Sequence, residues 1–419
     1  MISPIAAHLM LILIVAASIV LMLVRPRGIA EVYWIGAGAV LLVLLRLVGL
    51  KLAGQAIAAG ADVYLFLTGM MLLSELARFY GVFDWLASIA VEHARGSCTR
   101  LFTLIYAVGT VVTIFMSNDA TAVVLTPAVL TAVRKSKAEP LPYLFACALI
   151  ANAASFVLPI SNPANLVVFR THMPALHHWL GAFTLPSAFS IAVTYFVLRW
   201  YFRRELAGTV VDGDGIGKLD STGKLVFIGI WIVAGVLLAA SAMNKDLGLP
   251  TCLSALVVAC VVLIKARTPP MRILRDISWS VLPLVAGLFI LMEAIVSIGA
   301  LRYTAAALAW AEKLPAVAGA LIAGAVVGFG NNLINNLPLG LIAGSTLNAA
   351  HVQGAIQYAV LIGVDLGPNL SVTGSLATIL WLIALRREGL HVSFGTFLKV
   401  GIIAMPVALI LALLSAALI

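Results

Sequence analysis

Charge is what this chain of 419 residues has least of. Only 10% of it is Asp, Glu, Lys or Arg, against roughly 25% in ordinary soluble domains. So few charges cannot coat a water-exposed surface, which excludes a cytoplasmic enzyme, a secreted disulfide scaffold and a disordered tail. Cysteine is scarce as well. Cys98, Cys147, Cys252 and Cys260 form no CxxC pair and no metal-ligand spacing. Cys252 and Cys260, if they share a helix, lie about 80° apart around it, and all four are expected to be small buried apolar residues. The sequence has no HExxH and no GxSxG. Its histidines fall outside the apolar runs or near their ends, with His172, His177 and His178 in one loop. No catalytic residue, cofactor or bound metal is therefore expected, and the chain does not read as an enzyme.

What fills the chain is apolar: 63% is hydrophobic and the mean hydropathy is +1.11. A spanning helix takes about 20 apolar residues, so ten would use about half the chain. With single runs of this length, the expected class is an all-α polytopic membrane protein in lipid. The net charge of +9 does not point to nucleic acid, because the basic residues sit in short clusters between apolar runs, as cytoplasmic loops do. The clean runs are Ile5–Val24, Val32–Leu50, Asp62–Arg78, Gly181–Trp200, Leu225–Met243, Leu249–Lys265, Trp279–Ile298 and Val400–Ile419. The first lacks a basic leader and is long enough to span, so it reads as a retained helix.

The halves repeat. Gly69, Glu75 and Gly81 recur 218 residues later as Gly287, Glu293 and Gly299. Each triplet is followed by an amphipathic stretch (82–96, 300–313), a run broken by "SNDAT" or "NNLINN", and a second run broken by "PISNPAN" or "GPNLSVTGS". The expected organisation is a first repeat over 1–202, with a re-entrant hairpin at about 101–134 and a broken helix at about 141–173. A cytoplasmic linker, 203–224, leads to a second repeat over 225–419, with a hairpin at about 315–348 and a broken helix at about 354–386. Five spans per half is an odd number, so the second repeat is inverted. Placing the loops on that scheme leaves twenty basic residues inside and six outside, with both termini outside.

Irregular backbone at membrane depth is tolerated only inside protein or along a cavity, and paired broken helices point to a transport site. Half-helix ends present free N–H and C=O groups that hold a polar solute without a full side-chain charge. The candidate solute-binding residues are accordingly Ser117, Asn118 and Thr121; Ser161, Asn162 and Asn165; Asn332, Asn335 and Asn336; and Asn369, Thr373 and Ser375. Intramembrane acids are functional candidates by default, which makes Asp119 and Asp365, one per repeat, the candidate proton carriers. Structural readings stand beside these. Ser117, Asp119 or Thr121 would serve as a helix N-cap, and the Asn332, Asn335 and Asn336 amides as interhelical hydrogen bonds. Glu75, one turn from Arg78, is open to either reading, as is its counterpart Glu293; Asp62 reads as interfacial.

The stretches "SNDATAVVLTP" (117–127), "SNPAN" (161–165), "NNLINNLP" (331–338) and the Gly-Pro-Asn break at 367–369 resemble the ArsB arsenite/antimonite permeases, over essentially the whole chain. That resemblance implies export of trivalent arsenic and antimony in exchange for protons across a bacterial inner membrane, with some members working with a soluble ATPase partner. It also places the chain near the dicarboxylate carriers, whose hairpins and broken helices form a transport domain moving against a scaffold. Those carriers bear Ser-Asn-Thr at each break. Here the positions read Ser161-Asn162-Pro163 and Thr373-Gly374-Ser375, which argues against sodium and a bound carboxylate. Arsenious acid is an uncharged trihydroxy solute that an amide-and-hydroxyl pocket suits, whereas three convergent thiolates are not offered by scattered cysteines. The runner-up reading is a carrier of the same superfamily that moves silicate or a carboxylate.

Overall fold

The computed structural model describes residues 4–170, 173–211 and 218–418, and among these the chain is helical nearly throughout, with no strand beyond one isolated bridge between Ser97 and Thr209. Among the described residues, seven helices are long and apolar enough to cross a membrane: Ile5–Val24, Cys98–Phe115, Leu176–Tyr201, Ser221–Ala242, Gly248–Ala266, Ala316–Ile334 and Phe394–Ala416. Two more elements are bent pairs, Leu50–Ala58 with Ala61–Phe79 (47°) and Val281–Ser297 with Leu301–Ala311 (81°). Leu13, Phe196, Val257 and Val326 stand exposed, as lipid-facing side chains do.

The two halves carry the same order of elements. Leu141–Ala153 and Pro163–Val168 answer to Ala355–Leu366 and Leu376–Arg387 as the two parts of a broken helix. The first break is built by proline. Pro159 and Pro163 have no N–H to donate, so the helix stops, and Asn162 restarts it by accepting from the N–H of Ala164 at 3.0 Å. In the second half Gly367–Asn369 forms a tight turn, and Ser375 restarts the helix through the N–H of Thr378 at 3.1 Å.

Packing crosses between the halves in matched pairs. Gly248–Ala266 lies on Ala61–Phe79, and Val281–Ser297 lies on Glu31–Leu44. The final helices of the two halves, Leu176–Tyr201 and Phe394–Ala416, pack against each other. The second arm of each hairpin lies on the other half's broken helix: Asn336–Ala350 on Pro163–Val168, and Ala120–Leu125 on Leu376–Arg387. The pairing is reciprocal, each half offering the same elements to the other.

Both ends of the first hairpin lie at one end of the molecule. The linker backbone bonds them together, Val210 N donating to Gly96 O and Val211 N to Ser136 O, each at 3.0 Å. Tyr143, at the start of the broken helix, donates its hydroxyl to Cys98 O at 3.2 Å. Residues 212–217 of the expected linker lie outside the described residues. If the linker is cytoplasmic, Ser221→Cys is expected to react with an impermeant maleimide only after the cytoplasmic face is opened. Labelling from outside in intact cells would reverse the topology.

Three expectations need correction. The run Val32–Leu50 is not one helix: Glu31–Leu44 ends before Arg46, which takes a left-handed backbone (φ 56°), and a separate helix starts at Leu50. Among the cysteines, Cys98 and Cys147 are buried, but Cys252 is half-buried and Cys260 exposed, because their helix Gly248–Ala266 turns one face outward. His177 and His178 lie in the first turn of Leu176–Tyr201 and not in a loop; His172 lies outside the described residues.

Candidate solute pathway and binding site

A cavity of about 860 Å³ runs along the second arm of the first hairpin, lined from Ser117 and Asp119 at the tip to Thr131. At 1.5 Å per helical residue that path is about 20 Å long. Its opposite walls come from Leu67–Arg78, from Arg275–Val281 and from the broken helix of the other half, Leu376 to Glu388, with Pro163 beside the tip. It opens at the end of the molecule that carries the linker. There Arg134 donates to the carbonyl of Glu388 at 2.9 Å, closing the hairpin's end onto the broken helix. Glu75 proves to be locally paired: Arg78 Nε lies 2.9 Å from its Oε2, and Arg78 Nη2 also reaches Asp276 at 2.8 Å. The side chain of its counterpart Glu293 makes no hydrogen bond or ion pair among the described residues.

Local chemistry shapes the hairpin tips. After Asp119 the arm winds through Ala120–Leu125 as a π-helical turn, because Pro127 has no N–H to extend the ordinary ladder. Such turns concentrate at functional sites. Thr126 follows the wider pitch and donates its hydroxyl to Thr121 O at 3.2 Å. Asp119 is half-buried and faces the cavity, and its side chain makes no hydrogen bond or ion pair among the described residues. At the second tip Asn335 holds φ 85° and ψ 150°, a region costly for any residue with a Cβ. The Asn335 amide keeps it there, donating to Thr373 O at 3.2 Å and accepting from Leu337 N at 3.4 Å.

Of the expected site residues, Ser117 and Asp119 line the cavity. Asn118 and Asn336, related by the repeat, are buried with amide oxygens that have no partner among the described residues, as is also true of Asn165. The others hold the breaks in shape. Thr121 pairs with Thr113 at 2.8 Å, and Ser161 donates to Ile114 O at 2.9 Å. Asn165 donates to the break carbonyls of Ser155, Leu158 and Pro159. Asn332 accepts from Ser371 at 2.7 Å, Thr373 donates to Asn332 O at 2.9 Å, and Ser375 pairs with Thr378 at 2.7 Å. Asn369 donates to Leu149 O and accepts from Asn152, both at 2.9 Å. Asp365 accepts from Asn162 at 2.9 Å, and its second oxygen is 2.8 Å from Ser155 Oγ.

Sequence reasoning missed Asn152, Ser155 and Asn331. The last donates to Gly363 O and Val364 O, both at 2.8 Å. The available signal was a polar residue inside an otherwise apolar run. Asn152 also precedes Asn369 by nearly the repeat interval.

A family profile described as a citrate transporter matches residues 9–364. The chain belongs to this citrate-transporter family. It is thus a multi-pass membrane transporter and not an enzyme. Curated relatives named arsenical pump membrane protein include one from Yersinia enterocolitica, 28% identical over 80% of this chain and 81% of its own length. Another, from Escherichia coli, is 25% identical over 92% of this chain and 93% of its own. Among solved structures, the YdaH transporter of Alcanivorax borkumensis, described as having an unusual topology, shares the fold (TM-score 0.56). It is 14% identical, with 87% of this chain and 86% of that one covered. The expected resemblance to the arsenical pumps is borne out, within a family that also takes its name from citrate.

Proposed function

We propose that this transporter exports arsenite and antimonite from the cytoplasm in exchange for protons. It does so by alternating access, across a bacterial inner membrane with both termini periplasmic. The observation that carries the reading is the deep cavity joining the linker end to the first hairpin tip, where an acid with no partner among the described residues, Asp119, meets Ser117. With the basic linker end taken as cytoplasmic, this conformation faces inward. The orphaned amide oxygens of Asn118 and Asn336 are unmet acceptors suited to the hydroxyls of a neutral trihydroxy solute. Relatives named as arsenical pumps support the cargo.

The decisive experiment is arsenite transport by the purified protein in liposomes. Accumulation on imposing a proton gradient, abolished by a protonophore and without any ATPase, is expected. Gradient-insensitive equilibration would make the protein a channel instead. Replacing Cys98, Cys147, Cys252 and Cys260 together by Ser or Ala is expected to leave substantial export, since among the described residues no three His, Cys, Asp or Glu side chains converge on a metal-ligating site. A folded variant without transport would mean that a thiol ligates the metalloid.

A second reading, carriage of a carboxylate or another anion, has one observation in its favour. Arg275 and Arg387 line the cavity without an ion pair among the described residues. Competition of labelled arsenite and citrate in the same liposomes separates the two.

A further inference from the structure

Deep in the protein, where the two breaks meet, the hydrogen-bond protons do not add up for an ionised Asp365. Its side chain is fully buried. One oxygen receives the N–H of Asn162 at 2.9 Å. The other lies 2.8 Å from Ser155 Oγ, and that same Oγ lies 2.7 Å from the carbonyl oxygen of Asn152. A carbonyl only accepts, so the shorter contact takes the one hydroxyl proton of Ser155. The contact to Asp365 then joins two oxygens with no proton between them, unless the carboxyl supplies it. Dividing the Ser155 proton between both acceptors would leave a carboxylate with fewer than two full donors and no countercharge, the costliest arrangement for a buried charge.

No such countercharge is at hand. The basic side chains on helices packed against Ala355–Leu366 are His177, His178 and Arg199 on Leu176–Tyr201 and Lys399 on Phe394–Ala416. None is bonded to Asp365. Tyr143 and Tyr195 on these helices are bonded to Cys98 O and to Thr103. Cys147 makes no bond to Asp365.

We infer that Asp365 is held as a neutral carboxylic acid that donates to Ser155 and accepts from Asn162, and so acts as a positioning residue. It pins the first half's break to the second half's broken helix beside the Asn152–Asn369 pair. Its proton stays in place through transport, so the exchanging acid is Asp119. The division of labour rests on the proton-coupled reading above; the neutral state of Asp365 does not.

Two measurements test it. The first is infrared spectroscopy of unmodified protein carrying carboxyl-labelled aspartate, titrated between about pH 5 and 7, a window above the ordinary aspartate pKa. One protonated aspartic carboxyl is expected to persist across that window and to vanish in Asp365→Asn. Its absence from the unmodified protein would overturn the inference with no variant involved. The second uses Asp365→Asn, which keeps an acceptor for Asn162 and a donor for Ser155. This variant is expected to retain thermal stability and proton-driven export within about two-fold, with an unchanged pH profile, because like-shaped neutral partners are nearly interchangeable. Asp365→Ala, which orphans Asn162, is expected to lose both. A folded Asp365→Asn protein with lost coupling or a shifted pH profile would make Asp365 an exchanging acid. If unmodified protein transports no arsenite but shows the persistent carboxyl, the cargo assignment fails and this inference stands.

Discussion

Asp119→Asn protein is expected to bind arsenite and exchange it across the membrane, yet to concentrate none. The side chain lies at the inner end of the cavity, half-buried, with no partner, so nothing but its own carboxyl is available to take up and release a proton there. Moving one proton inward for each neutral solute outward carries one charge, worth about 2.3 kcal/mol per 100 mV. That sustains a solute gradient of roughly fifty-fold, since each ~1.4 kcal/mol is a factor of ten. Removing the titratable group should bring the accumulation ratio to about one while counterflow of labelled arsenite continues. The competing role is a helix cap, which Asn fills as well as Asp. Reconstituted Asp119→Asn protein that still concentrates arsenite under a proton gradient would establish the cap.

The largest structural effect is expected from Gly367→Val. Gly367 opens the turn at the second break, and a Cβ built there would lie 2.6 Å from the Cα of Gly328 and 2.8 Å from Nδ2 of Asn331. One of these is backbone, and the other belongs to an amide that donates to two carbonyls of the broken helix. Neither can step aside. Overpacking of a close-packed interior costs about 1–3 kcal/mol, occasionally more, and here the clash also breaks buried hydrogen bonds. Gly367→Val is expected to melt well below the unmodified protein in detergent, or to fail to insert as a monodisperse species. An unchanged melting temperature would mean that the helices carrying Gly328 and Gly367 do not approach this closely.

Much of the molecule was legible in its residues for definite reasons. Few charges and long apolar runs leave helices as the solution for a backbone in lipid. The recurrence of Gly69, Glu75 and Gly81 as Gly287, Glu293 and Gly299 marks two copies of one unit. Proline and asparagine clusters mark helix ends because they remove or compete with ladder hydrogen bonds, and the breaks at 154–162 and 367–375 fall where those clusters stand. Arg46 was the local exception: its apolar surroundings masked a left-handed turn.

The fold class and the positions of the breaks were readable along the chain because each depends on residues within a few turns of one another, and the repeat because the same pattern recurs 218 residues on. Which polar residues face the cavity and which are consumed inside the protein follows from the packing of distant segments. Residues of one type look alike along the chain, but a hydrogen bond depends on what lies opposite. Asp119 and Asp365 appear equivalent as intramembrane acids. Folding leaves the first against open space without a partner, while the second meets Ser155 and Asn162 from the other half of the chain. That distinction comes from pairing over some two hundred residues, set by how the two inverted halves pack, which no local pattern encodes.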